Sequence, residues 1–543
     1  VSEQAFQEAA KEFFDGVLRF HPVIATSLGV HIHDHALPRG TLAAHAEEHR
    51  WLREQLDRFS RMERRGLSPD SQLDCDLAVH LIRLSLFEDE KLRFWARYAG
   101  APDTIGEGLF PLFTRDFAPY PQRLESIIGR LDAAPKYLTE SRERLIEPVR
   151  LWNEIALETS QMLPGFLDLI AVTSKAQEGT ADLLPQLQDG IAATKEALEG
   201  FNGWLQERVL PAANPQWALG REVFEELLKH RGLGLSGAEI LHLGEQYLAS
   251  FRTDRDRTAA QVKPGGSVGE ANDHVRSHHP PTFEAVLKAY RESVAKARQF
   301  VVDRGLATFP PGEELLVIET PSFARHVIPF AAYVQPAKFD QRLLGFYLVT
   351  PPPEGKGGYL REHNYAAISN TCVHEGYPGH HLQLCCAATH PSYIRALASG
   401  TEFVEGWAFY CEELLKGFGY DDTPENRLIQ VNDLLWRAAR IVADVKLHRG
   451  EMSVEEAVAL LEQETGMGHE AAVAEVKRYT YTPSYPLSYL LGKHLILQLR
   501  RDVERLLGER FDLRRFHDAL LYAGSLPYPF LRRAVGQQLG IAV

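Results

Sequence analysis

The sequence predicts a mainly α protein, large and two-lobed, with a small β-sheet beside one helix that carries clustered histidines. Three observations predict it. Apolar residues recur at helical spacing along most of the chain. Strand-like runs are few and fall in the C-terminal half. With 543 residues the chain also exceeds what one hydrophobic core usually holds, about 250–300 residues.

Phe6, Phe13, Phe14 and Val17 make the first apolar helical face, and the same period returns at 124–131, 183–198, 224–228, 428–447 and 487–507. The best strand candidates are 315–318 and 345–349, short apolar runs rich in β-branched and aromatic residues. Pro- and Gly-rich breaks fall at 263–267 and 351–358. These features divide the chain into a helical N-terminal lobe, 1–310, and a C-terminal lobe, 311–543, with one continuous domain as the alternative. A strand ahead of the histidine segment offers an edge on which an extended peptide can pair.

Hydrophobic residues make up 45% and charged residues 24%, an ordinary globular balance that argues against disorder. The net charge of −14 argues against nucleic acid as a partner, because phosphate neutralisation needs clustered Lys and Arg. The five cysteines lack the spacing of a disulfide framework or a C-x-x-C pair, so free thiols in a reducing, cytoplasmic setting are expected. No run of 18 apolar residues suggests a membrane span. The first 16 residues are charged and amphipathic rather than signal-like, although a start at Val1 is compatible with a removed leader.

One segment carries chemistry: His374-Glu375-Gly376-Tyr377-Pro378-Gly379-His380-His381. A hydrolytic zinc site needs three protein ligands, an open position for water and a carboxylate to take the water's proton. In the usual helical form the histidines stand at i and i+4 with Glu between them, but here i+4 is Pro378. His380 at i+6 points elsewhere on a straight helix, and His381 at i+7 lies about 10 Å along the same face. A bulge at Pro378 and Gly379 would absorb the extra residues and bring His380 beside His374. His380 is therefore the expected second ligand with His381 in support, and the reverse assignment stays open. Glu405 is the expected third ligand, because a carboxylate among Phe403, Val404, Trp407 and Phe409 must be paired or coordinated. Glu412 and Glu413 look like a solvated face.

Arg440, Asp444 and His448 share one helical stripe, so Asp444 can orient a histidine while His448 or Arg440 meets an anionic intermediate or a substrate carboxylate. Tyr489 and Tyr481, with Arg478 nearby, are candidate donors to a developing oxyanion. Two further histidine clusters, at 31–35 and 274–279, read as solvated loops.

The segment HEGYPGHHLQ at 374–383, followed by Glu405-Gly406-Trp407-Ala408-Phe409-Tyr410, resembles the bacterial family known as domain of unknown function 885. That family carries an HExxPGHH signature and is regarded as a candidate zinc peptidase family, similar in architecture to helical gluzincin peptidases. The resemblance extends to 21–29 and 511–517, and so over nearly the whole chain. It implies a peptidase-like fold, one Zn2+ per chain, His374 and one of the paired histidines as ligands, Glu405 as the acidic ligand and Glu375 as the base. It further implies short peptides as substrates. One departure is visible: Pro483-Ser484-Tyr485 stands where the family pattern has Pro-Gly-Gln. The alternatives are a helical metalloprotein doing redox chemistry, which would need Glu-x-x-His pairs on several helices, and a metal- or peptide-binding protein without turnover.

Overall fold

A computed structural model describes residues 2–320, 325, 331–352 and 357–543. The protein is mainly helical, with one three-stranded sheet among the described residues. It divides into two compact units, one comprising 1–217 with 337–340, the other 218–336 with 341–543. The break expected near 310 lies inside the second unit. The physical reason is that the helix Phe283–Arg304 packs on both the first strand and the histidine helix, so no boundary can separate them.

The first unit is built from long helices, among them Glu3–Phe20, Leu42–Arg61, Pro69–Phe87, Ala101–Thr114, Tyr120–Ser141, Arg150–Lys175 and Leu184–Trp204. Phe6, Phe13 and Phe14 are buried, as their spacing requires. Arg130 is fully buried, its guanidinium satisfied by the carbonyls of Ala36, Pro22 and Gly108 and by Thr26. The helix Arg150–Lys175 is long and apolar enough to cross a membrane by length and composition, with a mean hydropathy of 1.3. It packs here on Ala101–Thr114 and Leu184–Trp204. A helix of that kind is equally at home in a folded core.

In the second unit the strands β1 (Glu314–Glu319), β2 (Ala331–Val334) and β3 (Leu344–Val349) order as β1-β3-β2. β1 runs parallel to β3 with Val317 opposite Tyr347, and β2 antiparallel with Tyr333 opposite Tyr347. Both expected strands form, while β2 was not foreseen because a four-residue Ala-Ala-Tyr-Val run is too short to show a period.

Around the sheet lie five helices that build the site: Tyr365–Glu375, His380–Ala388, Thr401–Gly417, Pro424–His448 and Ser488–Leu507. Asn364 caps the first by accepting from the Ala367 N–H at 2.9 Å. Thr401–Gly417 and Ser488–Leu507 touch backbone to backbone. A Cβ on Gly406 would stand 2.3 Å from the Gly492 carbonyl carbon, and one on Gly492 1.9 Å from the Glu402 oxygen, so both positions require glycine. All five cysteines are buried free thiols.

Candidate metal centre

The chain between the two histidines breaks instead of bulging. The helix Tyr365–Glu375 ends at Glu375, residues 376–379 turn, and His380 opens a new helix. A bulge keeps one helix axis, and the Pro378 ring with the missing N–H makes that costlier than stopping. Gly379 runs so close beneath His374 that a Cβ there would lie 1.8 Å from the His374 carbonyl oxygen. The turn is secured by the Gly379 N–H on the Val373 carbonyl at 3.1 Å and the Trp407 indole N–H on the Pro378 carbonyl at 2.8 Å. The result places the His374 and His380 rings edge to face, with centroids 4.8 Å apart.

Glu405, from Thr401–Gly417, completes a cluster. His374, His380 and Glu405 each present a donor atom, and these atoms lie within 4.8 Å of one another. His380 Nε2 is 3.5 Å from Glu405 Oε2. Nδ1 of His374 is engaged by Glu412 Oε1 at 2.8 Å, which leaves Nε2 for the cluster. Two imidazoles and one carboxylate in near-complete burial form a donor set that suits a borderline divalent ion such as zinc.

The electrostatics favour a cation at this point. Burial alone would raise the Glu405 carboxyl, yet His380, His374 and the Tyr485 hydroxyl draw it down to about 2. Burial disfavours protonated His374, but Glu412, Glu375 and Glu405 outweigh it and move its pKa up. Glu375 itself is half-buried at the helix end, close enough to influence the phenols of Tyr290, Tyr333 and Tyr347.

His381 is held elsewhere. It is fully buried, with Nε2 2.9 Å from Glu313 Oε2 and Nδ1 3.0 Å from the Tyr333 hydroxyl, so both ring nitrogens are engaged. Gly345 of β3 permits this approach, since a Cβ there would come within 2.7 Å of His381 Nδ1. Glu313 also accepts from the Tyr377 hydroxyl at 2.5 Å and from Arg298 at 2.7 Å, joining the turn between the histidines to the start of β1. Burial opposes its charge, but these three partners hold its pKa below the usual carboxylate value.

Glu412, expected on a solvated face, is 3% exposed and faces inward. Its second oxygen accepts from Asn370 at 3.0 Å, and Asn370 also donates to Asp433 at 3.1 Å. Adjacent Glu413 points the other way and pairs with Lys493. Two consecutive helical residues stand about 100° apart, so one can face the core while its neighbour faces out.

The Arg440, Asp444 and His448 stripe exists but serves other partners. Arg440 donates from Nε to the Tyr479 hydroxyl at 2.9 Å and from NH2 to Glu475 at 3.0 Å, with its guanidinium carbon 4.7 Å from the Tyr489 ring centroid. Asp444 lies 3.6 Å from His448, and its carboxylate accepts the backbone N–H groups of Ser484 and Leu487 at 3.1 and 3.2 Å. His448 is fully buried, with Nε2 3.0 Å from the Tyr479 carbonyl and its ring stacked on Phe224. Arg478 pairs with Glu475, and Tyr481 closes the helix His469–Tyr481.

Tyr489 also stands one step back, its hydroxyl 3.2 Å from that of Tyr485. The residue in contact is Tyr485, whose hydroxyl donates to Glu405 Oε1 at 3.1 Å. Its neighbour Ser484 has φ +63°, left-handed backbone that costs a non-glycine residue about 1–2 kcal/mol. Arg231 offsets this by donating to both the Ser484 carbonyl and hydroxyl at 2.6 Å. Ser484 thus holds a backbone conformation that ordinarily favours glycine.

Two solved structures share this fold across essentially their whole lengths. One is a lipoprotein candidate of unknown function from Shewanella oneidensis, at TM-score 0.81 and 22% identity, with 97% of this chain and 98% of that chain covered. The other is a lipoprotein candidate from Colwellia psychrerythraea, at TM-score 0.84 and 19% identity, with 99% of each chain covered. No curated protein matches the sequence. The family model for bacterial proteins of unknown function, DUF885, matches residues 22–535, and the chain belongs to that family.

Proposed function

We propose that the protein is a zinc-dependent peptidase acting on short peptides. The observation that carries the reading is the convergence of His374, His380 and Glu405 within 4.8 Å, immediately beside Glu375. One Zn2+ per chain, held by these residues, would polarise a scissile carbonyl and acidify a water. Glu375 takes the proton from the attacking water and passes it to the leaving amine. Glu412 fixes the tautomer and orientation of His374 through Nδ1. Tyr485, supported by Tyr489, supplies a phenolic donor beside Glu405 for the oxygen on which negative charge develops. His381 acts through position, tying the histidine turn to the sheet through Glu313 and Tyr333.

The experiment is metal analysis of the purified protein and its His374→Ala variant, followed by a peptide library on the wild type and Glu375→Gln. About one zinc per chain that is lost in the His374 variant, with turnover in the wild type that is lost in Glu375→Gln, supports the reading. Peptide binding without turnover in a zinc-loaded wild type would favour a binding protein instead.

A further inference from the structure

The N-terminal unit contains a cavity of its own, of about 560 Å3. Small-molecule sites usually span about 300–1,000 Å3. Its wall carries charge of both signs: Arg19, Arg39 and Arg144 against Glu47, Glu48 and Glu107. Several of these are already satisfied. Arg39 pairs with Glu47 at 2.7 Å, Glu48 lies 2.6 Å from His21, and the Arg19 guanidinium carbon lies 4.9 Å from the Phe20 ring centroid.

Arg144 and Glu107 differ. Arg144 donates to the backbone carbonyls of Arg39 and Thr41 and makes no ion pair with a carboxylate among the described residues. Of the acids near it, Glu48 is engaged by His21, Asp89 lies 3.2 Å from His45, and Glu140 accepts from the Gly40 N–H at 3.2 Å. Glu107 has neither a hydrogen bond nor an ion pair among the described residues. Burial moves the Arg144 pKa down against the pull of Tyr137, Glu48, Asp89 and Glu140, and burial together with Asp103 moves that of Glu107 up. Both groups act on the Tyr137 phenol, which lines the cavity with them.

A second cavity of about 210 Å3 lies next to the first and shares Thr104, Tyr137 and Arg144 with it as lining residues. Its wall is aromatic, with Phe94, Trp95, Tyr98, Phe201 and Trp204. One guanidinium thus stands at the junction of a charged chamber and an aromatic one.

We propose that these joined cavities bind an aromatic amino acid or aromatic dipeptide, with its carboxylate on Arg144, its ammonium on Glu107 and its ring in the aromatic chamber. A guanidinium matches a carboxylate with two parallel hydrogen bonds. The Glu107 carboxylate lines the same chamber and offers the counter-charge for the ligand's ammonium. The site is distinct from the metal centre in the residues it uses and requires no turnover.

The test is calorimetric titration of the full chain with L-phenylalanine and glycyl-L-phenylalanine, with Trp fluorescence followed in parallel. The expected result is saturable binding at one site that persists in His374→Ala and weakens at least about tenfold in Glu107→Gln. Glu107 is exposed enough for that substitution to leave folding intact, and thermal melting checks it. Absence of saturation up to about 10 mM would overturn the proposal. So would binding lost in His374→Ala but kept in Glu107→Gln, which would place the ligand at the metal centre. Equal binding of N-acetyl-L-phenylalanine or octanoate would show a plain carboxylate site and overturn it too.

Discussion

The carboxylate of Glu412 stands 2.8 Å from Nδ1 of His374, with one oxygen on the imidazole and the other on the Asn370 amide. A histidine so held has one tautomer and one ring orientation. Glu412→Ala is expected to weaken metal affinity about 10–100-fold while leaving the fold in place. Competition with a chelator of known affinity measures this. Glu412→Gln, which can still accept at Nδ1, should lose less.

Much of the centre is legible in the sequence, and the reasons differ residue by residue. The structure brings His374, His380 and Glu405 together because a His-Glu pair, a Pro-Gly break and a carboxylate among aromatics each carry a cost that only a joint arrangement relieves. Glu412 reads as solvated because one of two adjacent glutamates on a helix carries no mark of facing inward. Glu313 is the first of two adjacent acids at the start of a strand, and its partners Tyr377 and His381 come from elements distant in sequence. Tyr485 sits in a Pro-Ser-Tyr-Pro turn, where no periodicity signals a direction. Tertiary contact decided all three.

Glu375→Gln separates binding from chemistry. The variant should retain zinc and peptide affinity, while kcat falls about 10²–10⁴-fold, the range for a lost general base. Single-turnover kinetics on a zinc-loaded sample checks it. Unchanged kcat would remove Glu375 from the reaction.

Tyr485→Phe removes the donor beside Glu405. We expect kcat to fall about 10²-fold with KM little changed, as for loss of a group that acts mainly in the transition state. Tyr489→Phe, one hydroxyl further back, should show a smaller loss. Steady-state kinetics on the same peptide compares the two, and an equal or larger effect at Tyr489 would reverse their roles.

Stability should fall in acid through His517. Burial brings its pKa down to about 4, opposed in part by its bond to the Leu306 carbonyl, whereas the ordinary value is 6.5. The folded state thus keeps His517 neutral where the unfolded chain takes up a proton. Its contribution is complete above pH 6.5 and is lost as pH falls from 6.5 to 4, to a total of about 3 kcal/mol. Urea unfolding across that range should show the slope, reduced in His517→Gln.

Gly379→Ala would set a methyl group against the His374 carbonyl, a clash with backbone that side-chain rotation cannot relieve. The expected cost is about 3 kcal/mol, together with loss of bound metal. Calorimetric melting and metal analysis read both effects.

The indole of Trp407 reaches from the helix that carries Glu405 to the carbonyl of Pro378, in the turn that carries the chain from one histidine to the next. The helix that carries Glu405 is thereby also the clamp on the spacing between the two imidazoles. A change in the number of residues between those histidines would move the Pro378 carbonyl away from this indole. Histidine spacing and the Glu405 helix are thus held as one mechanical unit, and a disturbance of either is passed to the other.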